Sequence, residues 1–128
     1  MVTTSTAAEF VGNPYQADCP TRHLMDRIGD RWTVLIVGIL GDRDARFSEL
    51  RRSVQGISQK MLTQTLRGLE RDGLVLRTLY PEVPVRVVYA LTDSGRTLLD
   101  PLRALQAWSI QHFNDVAASQ QAYDHKTQ

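Results

Sequence analysis

The sequence predicts a mainly α-helical fold with a single β-hairpin, and three observations carry that reading. Apolar residues recur at helical spacing, as in "MLTQTLRGLERDGLV". Helix-starting and helix-ending residues punctuate the chain at Cys19-Pro20, Gly29-Asp30, Ser58, Gly73, Thr92-Asp93 and Asp100-Pro101. Two β-rich runs, "LVLRTLY" (74–80) and "VRVVYAL" (85–91), face each other across "PEVP". The 128 residues suit one domain, and a hydrophobic share of 42% is enough for one packed core.

Residues 1–18 read as a flexible polar arm, without the basic start and apolar stretch of a signal peptide. Pro20 suits the first position of a helix, which makes Cys19 its N-cap. Gly29 and Asp30 end that helix and start the next, Arg31 to about Leu40, which is apolar nearly all round and is expected at the centre of the core. Its run "WTVLIVGIL" is about half the ~20 residues a membrane helix needs, so the protein is expected to have no membrane partner and to be cytoplasmic. "GDRDA" reads as a turn, after which Ser48 caps the short helix "SELRRSV" and Glu49 complements its dipole.

"QG" makes a tight turn and Ser58 caps a further helix. On its wheel Met61, Leu62, Thr65, Leu66 and Leu69 fill an arc of about 140°, the width of a core-facing stripe. Gly73 closes it as a left-handed cap. After the hairpin, Thr92 with Asp93 starts a short helix. Asp100 as cap and Pro101 at the first position then start a long one to about Ala118. The domain therefore spans 19–118, and 119–128 is expected to be a frayed tail.

Two helices joined by a short glycine-containing turn form a helix-turn-helix, and the hairpin behind them makes it a winged helix. The second helix of such a pair enters the DNA major groove by its N-terminal residues. That position needs long side chains able to donate or accept hydrogen bonds, and Ser58, Gln59, Lys60, Thr63, Gln64 and Arg67 occupy it. Ser48, Arg51, Arg52 and Arg71 are placed to grip phosphate, and Arg77 and Arg86 flank the "PEVP" tip where a wing meets the backbone. Residues 42–96 carry ten basic and seven acidic side chains, while the segments on either side are net acidic. That central excess of three charges is modest, and a merely solvated polar face is the competing reading. The coincidence of turn spacing, an acid-free polar half-helix and an arginine on each hairpin arm favours double-stranded DNA as partner. A winged helix used only for protein–protein contact is the alternative. No nucleophile–base–acid grouping or phosphate loop is present, so an enzyme is not expected.

The segment from Cys19 to about Leu102 resembles the HxlR-type transcription regulators, winged-helix proteins of the MarR-like group. The residues that carry the resemblance are "CP", "IGDRWTVLIVGIL" and "RFSELRRSVQGISQKMLTQTLRGLERDGLVLRTLYPEVPVRVVYALTDSGRTL". Usual members have Gly-Lys before the tryptophan, where this chain has Asp30-Arg31. The resemblance implies a homodimeric bacterial DNA-binding regulator, often a repressor. It also implies that a cysteine in the "CP" position senses quinones, aldehydes or oxidants in several members.

The last long helix supports a dimer independently. Leu102, Leu105, Trp108, Ile110, Phe113, Val116 and Ala117 spread over about 200° of its wheel, about twice the width one core contact needs. Either a symmetric copy covers the second face or the helix is buried more deeply in its own subunit. Cys19, the only cysteine, has two readings as well: an electrophile- or oxidant-responsive thiol at a helix N-terminus, or a small buried apolar residue. Cys19 and His23 are four apart, but two ligands make an incomplete zinc site, so no metal or cofactor is expected. Trp32 and Trp108 either line an apolar pocket between helix pairs or pack the core.

Overall fold

Helix α2 (Arg31–Asp42) starts where Asp30 accepts the Trp32 and Thr33 N–H groups at 3.0 and 3.4 Å, a side-chain N-cap. The computed structural model describes residues 12–127, so the arm expected over 1–18 lies outside the described residues for its first eleven. Thr33, Ile36, Val37 and Leu40 of α2 are buried, but Leu35 on its far side is 37% exposed. The helix is central, as its composition implies, without being enclosed on every side. Helix α1 (Pro20–Ile28) precedes it with Cys19 at the N-cap and Pro20 at the first position; none of its own residues is buried.

The segment read as a turn, "GDRDA", contains more order than that. Ala45–Arg46 form a two-residue strand β1, antiparallel to the hairpin, with Ala45 beside Tyr89 and Arg46 beside Val88. Helix α3 (Phe47–Ser53) follows at once. Its N-cap is Arg46 rather than Ser48, which is the second residue of the helix. The strand decides this: once Arg46 is paired in extended backbone, the helix begins one residue later. The Glu49 carboxylate then accepts the Arg46 N–H at 2.8 Å.

Helix α4 (Gln59–Arg71) opens on Ser58, whose hydroxyl accepts the Met61 N–H at 3.0 Å. Leu62, Thr65, Leu66, Gly68 and Leu69 are buried, and Met61, expected in the stripe, stands at its rim at 37% exposed. The buried Thr65 hydroxyl donates to the Met61 carbonyl at 2.8 Å, which lets it sit on the apolar side. Gly73, at φ +76°, reverses the chain: its N–H donates to Glu70 O at 3.0 Å and the Leu74 N–H to Leu69 O at 2.9 Å, the paired bonds of a Schellman cap.

Strands β2 (Val75–Tyr80) and β3 (Arg86–Leu91) form the hairpin, with Val75 opposite Leu91 and Tyr80 opposite Arg86. The sheet order is β1-β3-β2. Helix α5 (Asp93–Thr97) is capped by Thr92, whose hydroxyl accepts the Gly95 N–H at 3.0 Å. Helix α6 (Leu99–Thr127) starts one residue before the expected cap, so Pro101 stands in its first turn, where no backbone donor is needed. It continues to Thr127, through the tail expected from 119, whose residue 128 lies outside the described residues. Leu99 and Leu102 anchor it to α2, and Arg103 reaches the Asp42 carboxylate at 2.7 Å. No helix among the described residues is long and apolar enough to cross a membrane.

Candidate nucleic-acid interface

Everything that fixes α4 in the body lies on one side of it, so the opposite side is left to Gln59, Lys60, Thr63, Gln64 and Arg67. Those five line one open groove; Thr63 is half-buried and the other four are exposed. No acid stands among them. Ser58 differs from the rest: one lone pair of its hydroxyl accepts the Met61 N–H of the cap, which leaves its hydrogen and its second lone pair for an outside partner.

A second groove of about 560 Å³ runs between α4 and the inner face of the sheet. Arg67 and Glu70 enter it from the helix, Arg77 and Tyr89 from the strands, and Phe47 from α3. Arg77 is therefore not at the tip, where its place in the sequence put it. It pairs with Tyr89 three residues back along β2 from Tyr80, and strand alternation turns it toward α4. The two arginines bracket one side of the helix. Arg71 is exposed at its last turn, and Arg51, Arg52 and Ser48 are exposed on α3.

Arg86 does stand at the tip, but it is engaged. Its Nη2 lies 3.0 Å from Glu82 Oε2 and its Nε 3.4 Å from Oε1, while its guanidinium carbon stacks 4.0 Å from the Tyr80 ring centroid. The hydrogen bond from Arg86 is the first reason that the Glu82 carboxyl is held below its ordinary value, and the same bond raises Arg86.

The seat of α4 includes two residues that the sequence does not advertise. Arg27 of α1 forms an ion pair with Asp72, just beyond α4, and its guanidinium covers Gly68, where a Cβ would meet it. The pair joins positions 45 residues apart, and no periodicity links them. Trp32 packs against the core, and its ring edge lies 4.0 Å from where a Gly56 Cβ would stand, in the turn between α3 and α4. Trp108 is elsewhere, 54% exposed on α6, so the two tryptophans do not share a core position.

Cys19 is buried, at 6% exposure. That burial raises its thiol, but the backbone N–H and hydroxyl of Thr21 and the backbone groups of Arg22 and Asn13 oppose it, and the net is a lowered value. Along α6, Leu105, Trp108, Ile110, Phe113 and Val116 are 40–74% exposed, and Ala117 is half-buried. Leu102 departs from the expected interface set. At 7% exposure it belongs to the core of its own chain, because the first turn of α6 is the part that packs on α2. Leu24 and Met25 of α1 are a further exposed apolar pair, at 45% and 51%.

The HxlR-like helix-turn-helix model matches residues 27–117, which span α2 to α5, the hairpin and most of α6. The chain belongs to that family. The HTH-type transcriptional regulator YtfH of Escherichia coli is 40% identical over 107 residues, covering 84% of this chain and 85% of its own. A putative transcriptional regulator ytfH from Salmonella typhimurium superposes with a TM-score of 0.83 at 40% identity, covering 87% of this chain and 99% of its own. The redox regulator HypR in its oxidized form is also similar, with a TM-score of 0.68 at 40% identity over 73% of this chain and 96% of its own. The winged-helix fold and membership of a family of transcriptional regulators, which are not enzymes, follow from these matches. The Gly-Lys to Asp30-Arg31 departure costs nothing locally, because Asp30 serves as the cap of α2.

Proposed function

We propose that this regulator is a cytoplasmic homodimer that binds an inverted-repeat operator and represses transcription, with α4 as its recognition helix. The observation that carries the reading is the outward face of α4: five long or hydrogen-bonding side chains without an acid, flanked by Arg77 across a groove. Gln59, Lys60, Thr63 and Gln64 meet base edges, and Arg67 and Arg77 bracket a phosphate. Arg71, Arg51, Arg52 and Ser48 extend the backbone contacts. A module made only for protein contact has no need of that cationic frame.

The exposed apolar length of α6 supports the second copy. A 29-residue helix, about 43 Å long, buries only Leu99 and Leu102 among its described side chains, and leaves Leu105, Trp108, Ile110 and Phe113 to water. Two recognition helices in such a dimer read half-sites about one helical turn apart. Binding to duplex DNA measured against salt tests the reading, because several phosphate contacts make affinity fall steeply as salt rises. A flat salt response, or a monomer at micromolar concentration by sedimentation, would remove it.

Control through Cys19 is the finer part of the proposal. Its lowered thiol at the start of α1 supports a response to electrophiles or oxidants, as does the likeness to a redox regulator. Selection of bound genomic fragments, with and without a quinone, reads out operator and response together.

A further inference from the structure

We infer that Glu82 is a specificity-determining residue of the wing, an internal stand-in for phosphate that keeps Arg86 occupied until correctly seated DNA displaces it. The inference rests on the DNA-binding reading of α4. The geometry is that of a filled anion site. The Arg86 guanidinium lies between the Tyr80 ring at 4.0 Å and the Glu82 carboxylate, which takes two of its N–H groups at 3.0 and 3.4 Å. A forked donor that meets two carboxylate oxygens in this way offers the same fork to two phosphate oxygens. Glu82 is itself fixed by the backbone, where its N–H donates to Tyr80 O at 2.8 Å, and Tyr80 is the cross-strand partner of Arg86. Ring, acid and base thus form one unit at the end of the hairpin.

The consequence is electrostatic. The wing carries an arginine but presents no net charge at its tip, because the carboxylate takes up the N–H fork that a phosphate would need. Random DNA therefore meets α3 and α4 with little help from the wing. A correctly docked duplex brings a phosphate to the Arg86 fork, and the carboxylate, 53% exposed, is free to swing into water. The pair suppresses non-specific affinity more than operator affinity, and the ratio of the two is what selects a site in a genome.

The test uses random-sequence duplex DNA and the full chain as wild type, Glu82→Gln, Arg86→Ala and the double variant. Binding is followed by fluorescence anisotropy across a salt series, with thermal unfolding as a check of fold. Glu82→Gln is expected to steepen the slope of log affinity against log salt by about 0.9 per wing, one added phosphate contact. At 0.1 M salt that corresponds to roughly a five- to ten-fold gain in affinity per wing. In the Arg86→Ala background the same change should have little effect, because Glu82 then has nothing to release. An equal gain in that background would show that Glu82 only repels phosphate, and the stand-in role would fall. Wild-type binding with Glu82→Gln unchanged would also remove it, leaving the DNA-binding reading intact. Wild type that binds no DNA at all would remove both.

Discussion

Gly95→Ala should loosen the joint between the wing and the long helix. Gly95 is the third residue of α5, and a Cβ there would drive into the Leu74 carbonyl oxygen, with Leu74 C at 3.1 Å and Leu91 Cδ2 at 3.2 Å. The obstacle is backbone, so it cannot rotate aside as a side-chain end could. The same carbonyl accepts the Thr92 N–H at 3.1 Å, and the Thr92 hydroxyl donates to Gly73 O at 2.6 Å. Lifting α5 to make room breaks these bonds. Overpacking costs about 1–3 kcal/mol, and the lost hydrogen bonding costs about 1 kcal/mol more. Replacing a helical glycine returns about 0.5–1 kcal/mol. The net is about 1–3.5 kcal/mol with a middle value near 2, which for a domain of this size lowers Tm by roughly 10 °C. Circular dichroism melts at matched protein concentration read it directly, matched because self-association raises the apparent Tm. Gly73→Ala is the control: φ is +76° with nothing within 4 Å, so only the left-handed backbone is penalised. That costs about 1 kcal/mol and roughly 4 °C. A Gly95→Ala melt within about 2 °C of wild type, or a smaller loss than Gly73→Ala, would refute the steric account.

Three further outcomes are expected. Gln59→Ala and Lys60→Ala should relax operator preference, whereas Arg67→Ala and Arg77→Ala should weaken all sequences alike and lower the salt slope; equal specificity loss from all four, measured by selection from random duplexes, contradicts the assigned roles. Glu49 is held below its ordinary value, first by the Arg46 N–H, so its folded-state pKa is the lower one. Its stabilisation is complete above the ordinary carboxylate range and is lost as pH falls through the folded value; Glu49→Gln should lower Tm at pH 7 and converge on wild type in acid, and parallel melts across pH would contradict it. Cys19→Ser should keep operator binding and lose its release by diamide or quinone; release that persists in the variant removes Cys19 as the sensor.

Much of the arrangement is legible in the sequence because it depends on local backbone chemistry. Asp30, Ser58, Gly73 and Thr92 mark element ends through bonds within a few residues, and each does so in the structure. The polar face of α4 follows from its apolar face by helical geometry alone. Differences arise where a partner comes from far along the chain. Pairing of Arg46 with Val88 moves the start of α3 off Ser48, and the register of Arg77 with Tyr89 turns that arginine from the tip into the groove. Packing on α2 draws Leu102 from the expected interface into the core. Arg86 stands at the tip as its place in the chain implies, but it is not a free cation, because Glu82, four residues earlier in the loop, holds it.

Helix order, the hairpin, the helix-turn-helix and the outward side chains of α4 are local matters, since capping and periodicity act within one or two turns of chain. What those elements lean on comes from the packing of the whole chain, not from any local pattern. That packing set the Arg27–Asp72 tie that holds α4, the groove that Arg67 and Arg77 share, the separation of Trp32 from Trp108, and the exposure of α6 beyond Leu102. Each depends on where distant parts of the chain come to lie, which is decided only when the helices and the sheet close on a shared apolar core.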